Sequence, residues 1–472
     1  MRFNTLTFLA FFLAFFTLFY FVARSRQQKL WLVIFGSLLF YCFWDYRFLA
    51  LLVGTGLLDF YLAQRIAQTP DKQRKKRLLA LSVAANLGVL FTFKYAQFFV
   101  DNVAAGLGLL GLDLSAPVLG IVLPVGISFY TFQSISYTVD VYRGSFKPKK
   151  RFLDFLGALT FFPHLVAGPI VRASFILPQF ETFTGARWSE ARQGFLLIAF
   201  GLAKKSVADM LGLTVDRVFA GGQPLGLLES WTGALAFTGQ LYCDFSGYTD
   251  IAIGLALLLG FQLPKNFDLP FLSRNMVEFW RRWHISLSSW LRDYLYTPLA
   301  FRSRAANRQA STLGALFVTM LLCGLWHGAG WNFLVFGAYH GALMVVTTAW
   351  LSYQAKQEGP EGFKVPVFLQ VGFTFYLTMI GHVLFRAGKL DTAWQVLRGM
   401  HAPAVPSDTQ STAWVLLGLV VVSIVGSHAL DYLSTRTQAS GRPWVLWPSV
   451  VFASALSIVL STESRAFIYF QF

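Results

Sequence analysis

The chain has 472 residues, 55% hydrophobic and 17% aromatic, with only 13% charged, about half the share in a typical soluble protein. Its 49 Phe and 14 Trp exceed what a soluble core of this length needs. Composition therefore excludes a soluble enzyme and predicts a polytopic integral membrane protein. The net charge of +16, from 39 basic and 23 acidic residues, comes largely from clusters in short loops. These lie at Arg24–Lys29, Lys72–Arg77, Arg143–Arg151, Arg302–Arg308 and Lys356–Lys364. Such clusters mark the cytoplasmic side of a membrane. Nucleic-acid binding finds no support, because no aromatic-basic module stands apart from the apolar runs.

Residues 3–23 form the first apolar run. No small-residue cleavage site follows it and further apolar runs come at once, so it reads as a retained helix rather than a cleaved leader. The next expected spans are 30–43, 48–66, 78–100 and 104–123. The basic clusters on either side of the second and third place both loops inside and the N-terminus outside. Pro124-Val125-Gly126 predicts a broken, re-entrant stretch, which is tolerated at membrane depth only where protein or a water-filled cavity covers it. Further spans are expected at 152–171, 192–215, 229–261, 311–326, 331–351, 366–386, 412–432 and 444–461. About eleven full crossings result, with the remainder short, tilted or re-entrant. No repeat and no soluble domain interrupts them, so residues 1–472 read as a single membrane-embedded domain. The three cysteines, Cys42, Cys243 and Cys323, sit in apolar surroundings without metal or disulfide spacing.

Polar groups inside the apolar runs are the functional candidates. Lys204 and Lys205 interrupt the 192–215 run. They read either as lysines snorkelling to the cytoplasmic interface or as attraction for an anionic acyl donor. Asp244, Ser246, Tyr248 and Asp250 form a dense polar set just before the apolar run 251–260. The segment 268–298 differs from the spans. Ser273 is placed to cap a helix starting near Arg274. Trp280, Trp283, Leu287, Trp290, Leu291 and Tyr294 recur at three- and four-residue spacing, with His284 on the same face. Glu278, Arg281, Arg282 and Asp293 fall largely elsewhere. The pattern predicts one amphipathic helix at the membrane interface or lining a polar recess.

The sharpest feature is His327, in Cys323-Gly324-Leu325-Trp326-His327-Gly328, within a run that is otherwise almost wholly apolar. No Walker, GxSxG or HExxH pattern is present, and no two histidines have metal-ligand spacing; His327 and His340 are 13 apart. Neither a metal nor a cofactor is implied. What remains is imidazole chemistry: a neutral histidine can take a proton from a hydroxyl or thiol as it attacks an acyl carbon. On residues alone, a buried histidine beside a tryptophan is as readily a satisfied core residue as a catalyst.

The run from Asp244 to Gly254, Asn266-Phe267, and Glu278 through Tyr294, with Gly324-Leu325-Trp326-His327-Gly328, resembles the membrane-bound O-acyltransferase (MBOAT) family. Within it, the likeness is to the bacterial branch acting in alginate O-acetylation. Phe162 to Arg172, Gly201 to Lys205 and the terminal Phe467 to Phe472 also resemble that branch, so the resemblance covers nearly the whole chain. It departs at His164, where Gln is expected, and at Ala300-Phe301, where a Gly pair is common.

The resemblance implies an all-α ring of tilted helices around a funnel or tunnel. It makes His327 the catalytic histidine, as general base or acyl relay, and His284 the second motif histidine, orienting the donor or assisting proton transfer. Trp283, Trp290, Trp326, Ser246 and Tyr248 would line the tunnel, and Asp244 would either line it or hold His284. Lys204, Lys205, Arg281 and Arg282 would face the acyl donor. The donor implied is cytoplasmic acetyl-CoA. The acceptor is an exported polysaccharide in a bacterial inner-membrane setting, with a separate extracytoplasmic acetyltransferase completing transfer. The competing expectation is a transporter or conduit that moves donor or polymer without making bonds.

Overall fold

The computed structural model describes residues 1, 3–112, 115–220, 225–302, 308–356, 365–402, 414, 418, 420–429 and 431–432. Among them there are helices and turns and no strand. Five helical stretches are long and apolar enough to cross a membrane: 26–68, 72–109, 309–327, 331–354 and 367–386. Shorter apolar helices cover 6–22 and 420–429. The protein is therefore an all-α, polytopic membrane protein. The expected span 444–461 and the terminal 467–472 motif lie outside the described residues, as do seven residues of 412–432.

The chain forms two compact units. The first is made of residues 1–198 and 251–264, the second of 199–250 and 265–472. In the first unit, the Arg26–Asp45 helix starts at a capping box, with Ser25 and Gln28 satisfying each other's backbone amides. Asp71 caps the Lys72–Leu90 helix through the Arg74 amide. That helix continues through a π turn into Ala96–Leu109, so among the described residues the expected 104–123 span is not a helix beyond Leu109. Residues 115–124 carry no regular structure, consistent with Pro117 and Pro124, which donate no backbone hydrogen bond.

Gly126, at φ 75°, then opens the Ile127–Arg143 helix. A Cβ there would lie 2.5 Å from the Leu165 carbonyl oxygen. The expected break is thus present, but the helix after it is a full element that the hydropathy pattern missed. Ser128, Thr131, Gln133, Ser134, Ser136, Thr138 and Asp140 are all buried in it, and their polarity hides it from a reading by apolar runs. The expected span 152–171 is instead two helices, Phe152–Thr160 and Phe162–Leu165, broken at Phe161 with Pro163 opening the second.

His164, the departure from the family pattern, is 3% exposed and lies 3.1 Å from Gln133 Oε1. The Gln133 amide nitrogen donates to the Ala158 carbonyl. That fixes its oxygen toward His164, so His164 Nε2 is the donor.

In the second unit, Arg308–His327 and Trp331–Gln354 pack closely as an antiparallel pair joined by three residues. Their approach requires glycine. A Cβ on Gly324 would meet the Phe333 carbonyl oxygen at 2.3 Å and Gly337 Cα at 2.7 Å. This contact of small residues brings the backbones together and sets His327 at the C-terminal end of its helix, against the first turn of the next. The predicted amphipathic helix of 274–294 is not continuous. Its cap is Asn275, not Ser273; Asn275 Oδ1 accepts from the Glu278 amide at 2.9 Å, and Ser273 turns back to the Pro270 carbonyl. Met276–Arg282 ends at Trp283, and a second helix, Ile285–Leu291, begins after His284.

Candidate active site

The break falls at His284. Its backbone is left-handed, at φ 43° and ψ 54°, a conformation costing a non-glycine residue about 1–3 kcal/mol unless its surroundings over-determine it. The surroundings here do so. The loop before the helix pair runs beside the break: the Asp268 amide donates to the Arg282 carbonyl at 2.9 Å and the Ile285 amide to the Asn266 carbonyl at 2.9 Å. Arg282 adds a bond to the Asp268 carbonyl and pairs with Glu278 at 2.8 Å. Partial burial raises the Glu278 carboxyl, but hydrogen bonds from Arg274 and Arg282 outweigh it and hold the group below its ordinary range.

Asn266 sits at the centre of this clasp. Its side-chain oxygen accepts from the Ser286 amide at 3.1 Å, from the Ser286 hydroxyl at 2.8 Å and from His284 Nδ1 at 3.1 Å. A backbone N–H can only donate, so the Asn266 atom facing it must be the oxygen, and the imidazole nitrogen facing the same oxygen must carry its proton. The tautomer of neutral His284 is thereby fixed as Nδ1–H. Nε2 keeps its lone pair and has no hydrogen-bond partner among the described residues. The ring is fully buried and stands edge-on to Phe245 at 4.6 Å. That environment suits a base whose basic nitrogen is reserved for a reactant.

Trp326 links the two motif histidines. Its ring centroid is 6.2 Å from His284 and 4.9 Å from His327. His327, 5% exposed, packs against Phe336 at 5.7 Å and Phe385 at 5.2 Å, and its Nε2 lies 3.8 Å from Cys323 Sγ, one turn back on the same helix. The two histidines, 43 residues apart in sequence, therefore share one buried aromatic wall.

The family model for MBOAT, the membrane-bound O-acyltransferase family, matches residues 149–386, which include both histidines and Trp326. The chain belongs to this family. It is an acyltransferase. The protein of Pseudomonas putida named "Probable alginate O-acetylase AlgI" is 38% identical over 506 residues, covering 100% of both chains. Its namesake in Azotobacter vinelandii is 39% identical over 442 residues, 90% of this chain and 85% of that one. The Helicobacter pylori protein named "Peptidoglycan O-acetyltransferase" is 32% identical over 527 residues, 100% and 97% of the two chains.

Other expected site residues of this acyltransferase fall in different places. Asp244 does not hold His284. It pairs with Lys205 at 2.9 Å, and Asn266 takes the holding role. Asn266 was legible only as part of the quoted Asn-Phe pair, with nothing to show that it reaches back to His284. Lys204 is 1% exposed along its side chain and bridges Asp250, at 2.6 Å, and Asp431. Tyr242 also donates to Asp431. Lys205 joins Asp209 at 2.6 Å as well as Asp244. Neither lysine snorkels, because internal carboxylates meet both charges. Ser246 and Tyr248 are buried on the same helix as Asp244.

Trp283 closes the first short helix inside an aromatic nest, 5.1 Å from Phe267, 5.6 Å from Phe279 and 5.4 Å from His382. Trp290 lies tilted against Tyr294, with ring centroids 5.0 Å apart. Arg281 is exposed and Arg282 half-buried.

Proposed function

We propose that this acyltransferase moves an acetyl group from cytoplasmic acetyl-CoA across a bacterial inner membrane for O-acetylation of an exported polysaccharide such as alginate. A separate extracytoplasmic acetyltransferase completes the transfer. In this reading residues 1–472 act as one membrane-embedded domain, with its N-terminus on the periplasmic side. The observation that carries it is the buried, tautomer-locked imidazole of His284, joined through Trp326 to His327. The relatives named for alginate and peptidoglycan O-acetylation support a glycan acceptor.

His327 acts as general base, or relays the acyl group, at the constriction of a tunnel. It takes the proton of an attacking hydroxyl or thiol as the oxygen or sulfur bonds to the acyl carbon. The thioester C–S bond breaks, and the CoA thiolate leaves and regains a proton. His284, with Nε2 available, orients the donor or assists that proton transfer. Trp283, Trp290, Trp326, Asp244, Ser246 and Tyr248 shape the tunnel wall. Arg281 and Arg282 lie on the donor side, with Lys204 and Lys205 setting the wall's charge through their carboxylate partners.

Purified protein supplied with labelled acetyl-CoA, acceptor and partner tests this against a conduit that makes no bonds. Thioester cleavage that depends on His327 is the expected result. Donor movement without cleavage overturns the proposal.

A further inference from the structure

His340 stands 13 residues after His327 in the sequence. In the structure it is 1% exposed, and neither ring nitrogen has a hydrogen-bond partner among the described residues. Trp280, 6% exposed, stands perpendicular to it, with ring centroids 5.3 Å apart, and its Nε1 also has no hydrogen-bond partner among the described residues. An unmet polar atom in a buried site is destabilising, and buried polar groups are nearly always paired. Two neighbouring side chains that leave three such atoms unmet are therefore poorly explained as packing.

The imidazole is packed against a glycine. A Cβ on Gly381 would lie 2.3 Å from His340 Nε2, so any side chain there would push the ring aside. The place is continuous with the motif histidines. Phe336 contacts His340 at 4.6 Å and His327 at 5.7 Å. A string of ring contacts thus runs from His284 through Trp326, His327 and Phe336 to His340 and Trp280.

We propose that His340 and Trp280 form a polar subsite that binds the oxygen atoms of the acyl group at the transfer centre. A neutral imidazole offers one donor and one acceptor, and an indole offers one donor only. Two N–H groups and one lone pair suit an acyl carbonyl oxygen together with the hydroxyl or thiol that attacks it. Apolar surroundings strengthen both N–H bonds to an oxygen that gains charge during transfer. The subsite rests on the acyl-transfer reading of His327 and extends it by naming the groups that hold the oxygen.

The test is turnover of labelled acetyl-CoA by the purified full-length protein with its acceptor and partner, alongside thermal unfolding. His340→Phe removes the polar atoms and keeps the bulk. It is expected to unfold at the same or a higher temperature, with kcat lowered about a hundredfold and KM for acetyl-CoA unchanged. His340→Gln, which keeps a donor and an acceptor, recovers part of the rate. A structural role alone would instead lower the unfolding temperature and leave kcat per folded molecule intact. Folded His340→Phe with wild-type kcat overturns the subsite. If that variant does not fold, Trp280→Phe decides in the same way. His327→Ala is run in parallel. Its loss of turnover beside an active His340→Phe rejects the subsite alone, and its retention of turnover rejects the acyl-transfer reading itself.

Discussion

The side-chain oxygen of Asn266 lies 3.1 Å from His284 Nδ1 while also accepting the Ser286 amide. That second, backbone bond makes the first informative. It fixes which atom of the amide faces the ring, and so which ring nitrogen keeps its lone pair. Asn266→Ala should lower turnover about ten- to a hundredfold, as loss of an orienting partner does elsewhere, with a modest fall in stability from the orphaned Ser286 amide. Acetyl transfer and thermal unfolding measured on the same preparation check this. Wild-type turnover in Asn266→Ala would remove the orienting role.

His284 combines a strained backbone with a reserved nitrogen, and the two can be separated. His284→Gly relieves the left-handed strain, so it should unfold within about 1 kcal/mol of the wild type while losing turnover. His284→Val should lose both, since a β-branched residue resists that backbone. Equal stability of the two variants in an unfolding experiment would show that the φ of 43° carries no cost.

This break also shows where the sequence stopped being legible. Three- and four-residue spacing of Trp280, Trp283, Leu287 and Trp290 was real, and it suggested one helix because nothing local marks a stop at a histidine. The stop is imposed from outside, by Asn266 and Asp268 bonding across it. Asn266 was missed as a functional residue for the same reason, since its role depends on a contact 18 residues away. The Ile127–Arg143 helix was missed for the opposite cause: its polar residues are buried against other protein, where hydropathy gives no signal. By contrast, the Arg308–His327 and Trp331–Gln354 helices were plain, because apolar runs of that length have few other structures.

Lys204 is held between Asp250 and Asp431, so Lys204→Ala leaves two half-buried carboxylates without the buried cation between them. Removing one partner of a buried pair costs about 3–5 kcal/mol. The variant should accumulate poorly in membranes, with acetyl-CoA KM unchanged in whatever folds. A raised KM at normal accumulation would instead favour donor attraction by the lysine.

The glycine contact that seats His327 has an internal control. Gly324→Ala forces a methyl into the Phe333 carbonyl and should destabilise by about 1–3 kcal/mol and reduce activity. Gly314→Ala lies on the same helix with nothing within 4 Å of the added Cβ, and should be neutral or slightly stabilising. Similar unfolding temperatures for the two would show that the helix pair does not depend on close approach at Gly324.

The most direct measurement of the whole account is polymer acetylation in cells carrying His327→Ala, with the variant's level in the membrane measured in the same cells. The account predicts that acetylation is abolished while the protein accumulates normally. Normal acetylation at normal accumulation would contradict it.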